Sequence, residues 1–199
     1  NKAIHIVSFD VPYPANYGGV IDVYYKIKAL SQSGIAIHLH CFHYGREKSE
    51  ILESICNKIT YYKRRRRLID WLSIQPFIVK SRADRSLLFN LEKDSLPILF
   101  EGVHCTAFLK KIAVNKNRKL WIRAHNIESE YYYELYRIEK NIARKLYFLI
   151  ESIKTKYYEK IVLVKHNVLA ISNADLNKIK AKNTNCYLIN PFHKNEKIK

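Results

Sequence analysis

The chain has 199 residues, 48% hydrophobic and 27% charged, which suits one good-sized packed domain or at most two small ones and excludes a disordered polypeptide. No apolar run approaches the roughly 18 residues of a membrane span, and no charged-then-apolar leader opens the chain, so a secretory signal is read as absent or removed. A net charge of +17 with a pI of about 9.7 points to an anionic partner (nucleic acid, an acidic membrane surface or a phosphorylated small molecule) or to a merely solvated basic surface.

In chain order, AIHIVSF at 3–9 is short, apolar and β-branched, the pattern of a buried strand. The loop DVPYPANYGG follows, then VIDVYYKIKALSQSG, where Val20, Val23, Ile27 and Leu30 mark a helix face and Gly34 a stop. IAIHLHCF at 35–42 reads as a second strand, completing a βαβ unit. Next come a short helix in EKSEILESICNK, a strand in ITYYK, a helix in RLIDWLSIQ closed by Pro76, and a helical pattern in SRADRSLLFNLEKD. LPILFEG at 96–102 is a strand, TAFLKKIAVN a short helix and KLWIRAHN at 119–126 another strand. A long helical stretch runs from about Glu128 to Lys165 with a break near Asn141; in its second part Ile142, Leu146, Leu149, Ile153, Tyr157, Ile161 and Val164 hold helical spacing. VLAIS, DLNKIKAK and NCYLINPF complete the series as strand, helix and strand, and HKNEKIK reads as the start of a linker. Repeated β-then-α order predicts a Rossmann-like, doubly wound α/β fold: a mainly parallel sheet with helices on both faces.

Ligands of such sheets bind at the carboxyl ends of the strands, so the residues just after each strand are the candidates. After the first strand stand Asn16, Tyr17, Gly18 and Gly19. A glycine pair at a helix start lets backbone approach a phosphate or other oxygen-rich group; alternatively it is a turn that needs φ > 0. It is neither a GxGxxG fingerprint nor a Walker A loop. Glu101 and His104 end the 96–102 strand, either as polar ligand contacts or as half of a metal site whose other half is not evident. Arg123, His125, Asn126 and Glu128 converge on one strand-to-helix turn, Asn126 being alternatively a plain helix cap. Ser172, Asn173 and Asp175 read as helix-capping residues. Cys41, Cys56, Cys105 and Cys186 form no CxxC pair and read as buried free thiols in a reducing cytosol, not a zinc site.

PYPANYGGVIDVYYKIKALSQSG, LFEGVH, RAHNIESEYY and VLAISNADLNKI, in this order, resemble the N-terminal domain of family 4 glycosyltransferases, retaining enzymes of GT-B type common in bacterial surface-polysaccharide synthesis. The resemblance covers essentially the whole chain. It implies one half of a GT-B fold: an acceptor-binding domain over 1–192, a linker beginning at 193–199, and a nucleotide-sugar domain absent from this chain, so that the chain alone is inactive. By that resemblance Asn16, Tyr17, Gly18 and Gly19 form the loop beside donor phosphates and acceptor, His125 faces the transferred sugar, and Glu101, His104, Arg123, Asn126 and Glu128 lie on the acceptor side.

The implied partners are a nucleotide-sugar donor, a saccharide or lipid-linked acceptor and an acidic membrane touched peripherally from the cytoplasmic side. Lys63 to Arg67 with Trp71 is the membrane-facing candidate, unless that run is a solvated basic helix start. No metal or other cofactor is expected, because amides and cationic side chains carry the phosphate charge. The competing reading is a basic α/β protein that binds nucleic acid, favoured by the charge and fifteen tyrosines and opposed by the lack of a recognisable motif. A third is a complete binding protein for a phosphorylated metabolite.

Overall fold

The computed structural model describes residues 2–114 and 117–194. Of the expected linker at 193–199, residues 195–199 lie outside the described residues. The elements are β1 (Ala3–Ser8), α1 (Gly18–Gln32), β2 (Ala36–His43), α2 (Glu50–Ile55), β3 (Lys58–Lys63), a 3-10 turn (Leu68–Leu72), α3 (Phe77–Lys80), α4 (Arg85–Leu91), β4 (Ile98–Glu101), a second 3-10 turn (Val103–Cys105), α5 (Leu109–Ile112), β5 (Leu120–Ala124), α6 (Glu128–Ile138), α7 (Ile142–Lys165), β6 (Asn167–Ala170), α8 (Asn173–Lys180) and β7 (Cys186–Leu188). The seven strands form one sheet in the order β3-β2-β1-β4-β5-β6-β7, every pairing parallel. The Rossmann-like α/β expectation therefore holds, and the winding reverses between β1 and β4.

Both faces are covered, which is why the strands are apolar at consecutive positions instead of alternating with water. Ile6 and Leu99 face Val23 and Ile27 of α1 and Leu52 of α2. Their neighbours Val7, Ile98 and Phe100 face the other way, into a core with Leu87, Leu91, Val162, Leu163 and Ile179. A polar row threads that second side: His5 Nδ1 meets His40 Nε2 at 2.8 Å, and His40 Nδ1 meets the Tyr62 hydroxyl at 2.9 Å. All four cysteines are buried and free.

Gly34 ends α1 with φ +75°, as its position predicts, and the Ser172 hydroxyl accepts from the Asp175 amide at 3.1 Å as the cap of α8. Two helix expectations are corrected. RLIDWLSIQ forms only the five-residue 3-10 turn Leu68–Leu72, and Pro76 opens α3 instead of closing a helix. Proline tolerates a helix start because its missing N–H would find no partner there. The amide of Phe77 is instead taken by Glu151 Oε2 at 2.6 Å.

The break near Asn141 is real: α6 and α7 are separate, and the Asn141 side chain caps α7 by accepting from the Arg144 amide. α7 is apolar on two sides: Tyr147, Phe148 and Tyr158 pack against the core, and a second apolar stripe faces out. Ile142, Leu146, Ile150, Ile153, Tyr157 and Ile161 are 40–84% exposed, while Glu151, Ser152, Thr155 and Glu159 are buried with Val162 and Leu163.

Candidate functional site at the carboxyl ends of the central strands

The switch point puts the chain segments after β1 and β4 side by side, which opens a crevice where doubly wound sheets bind ligands. Phe9, the residue following β1, sits at its centre. Its ring packs against His104 at 5.4 Å and edge-on against His125 at 5.5 Å. A Cβ placed on Gly19 would meet its Cζ at 2.7 Å. Phe9 thus joins the glycine loop, the end of β4 and the end of β5 at one rim.

Gly18 and Gly19 form the first turn of α1 and Tyr17 is its N-cap without a side-chain cap. Neither glycine has positive φ, so the strained-turn alternative fails, and close approach is what remains at Gly19. Tyr17 turns back onto β1: its hydroxyl donates to Asp10 Oδ2 at 3.0 Å. Burial, then the Asp10 carboxylate, raises its pKa above the usual tyrosine range. Asn16 is exposed and accepts from Arg46 Nη1 at 3.0 Å.

Beneath the rim lies a buried ionic cluster. Arg123 Nε and Nη2 grip Asp22 at 3.0 and 2.9 Å, and Lys26 Nζ reaches Asp22 and Glu101, each at 3.0 Å. His125 Nε2 donates to Glu101 Oε2 at 2.9 Å. Its Nδ1 stands 3.7 Å from Asp22 Oδ2, beyond a hydrogen bond. The carboxyls of Asp22 and Glu101 keep lowered pKa values: burial pushes each the other way, but the Lys26 charge and the hydrogen bonds outweigh it. Arg123 also donates to the Ile189 and Asn190 carbonyls at 2.6 and 3.2 Å, and the Phe192 amide donates to Asp22 at 2.7 Å. The segment after β7 is therefore tied across the crevice floor.

The sequence-derived candidates divide accordingly. Gly19, His104 and His125 meet through Phe9. Glu101 and Arg123 are fully buried and hold the cluster together. Glu128 is buried, with Oε2 3.8 Å from His104 Nε2. Burial, then the charge of Glu159, lifts its pKa to about 7. Among the described residues His104 Nδ1 is buried without a hydrogen-bond partner, and burial, then Arg82, lowers the pKa of that imidazole well below its ordinary value. Asn126 is exposed and does not cap α6, whose cap position is Ile127. The first amides of that helix, Glu128 and Ser129, donate instead to Glu159 at 2.6 and 3.3 Å.

Sequence reasoning missed Phe9, Asp10, Asp22, Lys26 and Arg82. Asp22 and Lys26 carried a readable signal, an opposite-charge pair four residues apart on the helix after the glycine loop. Arg82 carried none: its Nε donates to the Phe9 carbonyl at 3.0 Å through a contact 73 residues away in sequence.

Among the described residues, two groups bring ligand atoms close enough to hold a cation. Asp22, Glu101 and His125 do so in the cluster, and His5, His38 and Asp94 at the opposite side of the sheet. In the first, Lys26 and Arg123 already supply the positive charge that a metal would bring.

These features define the class as far as the fold carries it: a doubly wound, all-parallel α/β domain with a polar crevice at its switch point. No family model matches the chain. An uncharacterized 44.6 kDa protein in the cps region of Klebsiella pneumoniae is 34% identical over 148 residues, which is 70% of this chain and 37% of that protein. The crystal structure of Arabidopsis thaliana UGT89C1 complexed with UDP-L-rhamnose has the same fold, with a TM-score of 0.54 at 11% identity over 98% of this chain and 53% of that one. The chain thus spans little more than half of the plant protein and less than half of the bacterial one. Among the described residues no helix is long and apolar enough to cross a membrane.

Proposed function

We propose that this chain is the N-terminal, acceptor-binding half of a retaining GT-B glycosyltransferase of family 4. It would work in bacterial surface-polysaccharide synthesis, moving a sugar from a nucleotide-sugar to a saccharide or lipid-linked acceptor. The observation that carries the reading is the convergence of Gly19, His104 and His125 around Phe9 at the switch point. Two likenesses support it: a structural neighbour that binds a UDP-sugar and a relative from a cps (capsule) region.

In this reading the free amides at the start of α1 face charge growing on the departing diphosphate, where fixed dipoles stabilise a transition state without reorganising. Glu101 holds His125 by Nε2, which leaves Nδ1 as the nitrogen that meets a sugar hydroxyl and orients the ring. Lys26 and Arg123 keep Asp22 and Glu101 ionised, so the imidazole is fixed by a charged neighbour. The donor is held by a second domain outside this chain, and the chain alone does not turn over. The enzyme works on the cytoplasmic side of the membrane, and no metal or other cofactor takes part.

His125→Ala in the intact enzyme tests this. Turnover of the nucleotide-sugar should fall on the order of 100-fold while donor binding stays near normal; melting falls because Glu101 loses its Nε2 partner, so turnover is read well below the variant's melting temperature. Unchanged turnover would sink the assignment of His125 to the sugar.

A further inference from the structure

The outward stripe of α7 has a physical consequence that the crevice does not use. Its two carboxylates, Glu151 and Glu159, are buried and spent on the starts of α3 and α6. What α7 shows to water is an apolar stripe, Ile142 to Ile161, flanked by Lys145, Lys156, Lys160 and Lys165. A helix that hides its acids and displays apolar and cationic residues is the reverse of a soluble surface helix.

The loop after β3 extends the same surface. Leu68, Leu72 and Ile74 are 73–94% exposed, whereas Asp70, the acid of that turn, is buried. Trp71 anchors the loop to α7: its ring packs on Tyr147 at 5.3 Å, and its carbonyl accepts from Lys154 Nζ at 2.7 Å. Tyr147, Ile150 and Lys154 follow one another along that flank, so the loop and the stripe are neighbours. Arg65, Arg66 and Arg67 precede the turn and are exposed.

Length places this surface. The 24 residues of α7 span about 36 Å, and the five of β5 only about 16 Å. Since β6 starts two residues after α7 ends, the first half of α7 overhangs the carboxyl edge of the sheet, on the side of the crevice.

We propose that the α7 stripe and the 64–75 loop form one docking surface for an anionic lipid membrane, with the apolar side chains entering the interface and the cations facing the headgroups. Charge decides among occupants. A second copy would present the same lysines and arginines to themselves, and a surface with its acids turned inward complements an anionic partner. A nucleic acid would use the cations but leave Leu68, Leu72 and Ile74 without a role, whereas a lipid interface takes both. The proposal does not rest on the transferase reading.

Co-sedimentation with vesicles of phosphatidylglycerol and phosphatidylcholine, against phosphatidylcholine alone, tests it. The protein should partition to the anionic vesicles only, less so at high salt, with a blue shift in fluorescence that Trp71→Phe abolishes. Leu72→Asp with Ile74→Asp, and separately Leu146→Gln with Ile153→Gln, should each weaken binding at least about tenfold. Arg65→Gln and Arg66→Gln should each weaken it roughly fivefold. All these positions are exposed, so the variants keep the fold, checked by circular dichroism. The proposal is overturned by absence of vesicle binding, by equal binding to neutral vesicles, or by apolar variants that bind as the parent does. Self-association lost in Leu146→Gln with Ile153→Gln, or a random oligonucleotide bound more tightly than the vesicles, overturns it as well.

Discussion

Gly18 and Gly19 are chemically identical and adjacent, yet only one is constrained. A methyl on Gly18 meets nothing within 4 Å, whereas a methyl on Gly19 enters the Phe9 ring. Gly18→Ala should therefore be neutral or stabilise by up to about 1 kcal/mol, the gain of alanine over glycine in a helix. Gly19→Ala should cost about 1–3 kcal/mol as overpacking, because Phe9 is wedged against His104 and His125. Thermal melts of the two variants check the contrast, and equal effects would contradict the close approach. The sequence shows a glycine pair between a strand and a helix but not which member is pressed, since the pressing ring comes from the far side of the loop. His125 and Glu101 were legible as polar residues at strand ends. That they bond each other was not, because neighbouring strands are paired only in three dimensions.

At the scale of elements, α6 and α7 form an antiparallel hairpin whose start is held from across the pair. Glu159 accepts from the amides of Glu128 and Ser129 and from the Ser129 hydroxyl, and the Ser152 hydroxyl donates to the Ser129 carbonyl at 2.9 Å. A helix start without a local cap leaves its amides to be satisfied elsewhere. Glu159→Ala should cost about 2 kcal/mol, a lost cap plus buried donors left unpaired, partly offset by relief of Glu128. Urea unfolding should show a lower midpoint at unchanged slope, with faster hydrogen exchange confined to the first turn of α6. Helical spacing foretold α7 and its break at Asn141. It did not foretell which face is buried, because the rule assumes that one apolar stripe seeks the core, and here Tyr147, Phe148 and Tyr158 share the core side with buried carboxylates that meet helix amides.

Across the whole molecule, buried imidazoles set the response to acid. Burial lowers the pKa of His5, of His104 and of His40, the last to about 3. A histidine lowered below its unfolded value near 6.5 binds its proton more readily when unfolded. The stability these residues contribute is therefore present above about pH 6.5 and lost as pH falls from there towards 3. Melting temperature should drop over that range, by less than three imidazoles alone would give, because Glu128 and Glu159 with their raised pKa values take up protons in the folded state. His40→Asn should reduce the slope by about one proton, and an unchanged slope in that variant would contradict the buried neutral row. The order of strands and helices, the parallel winding and the strand-end polar residues were set by local pattern, since hydrophobic period and turn residues act within a few positions. The depth of each side chain, the partners of Asp22 and the outward stripe of α7 came only from the tertiary structure, because they depend on which distant elements compete for the same buried space and charge.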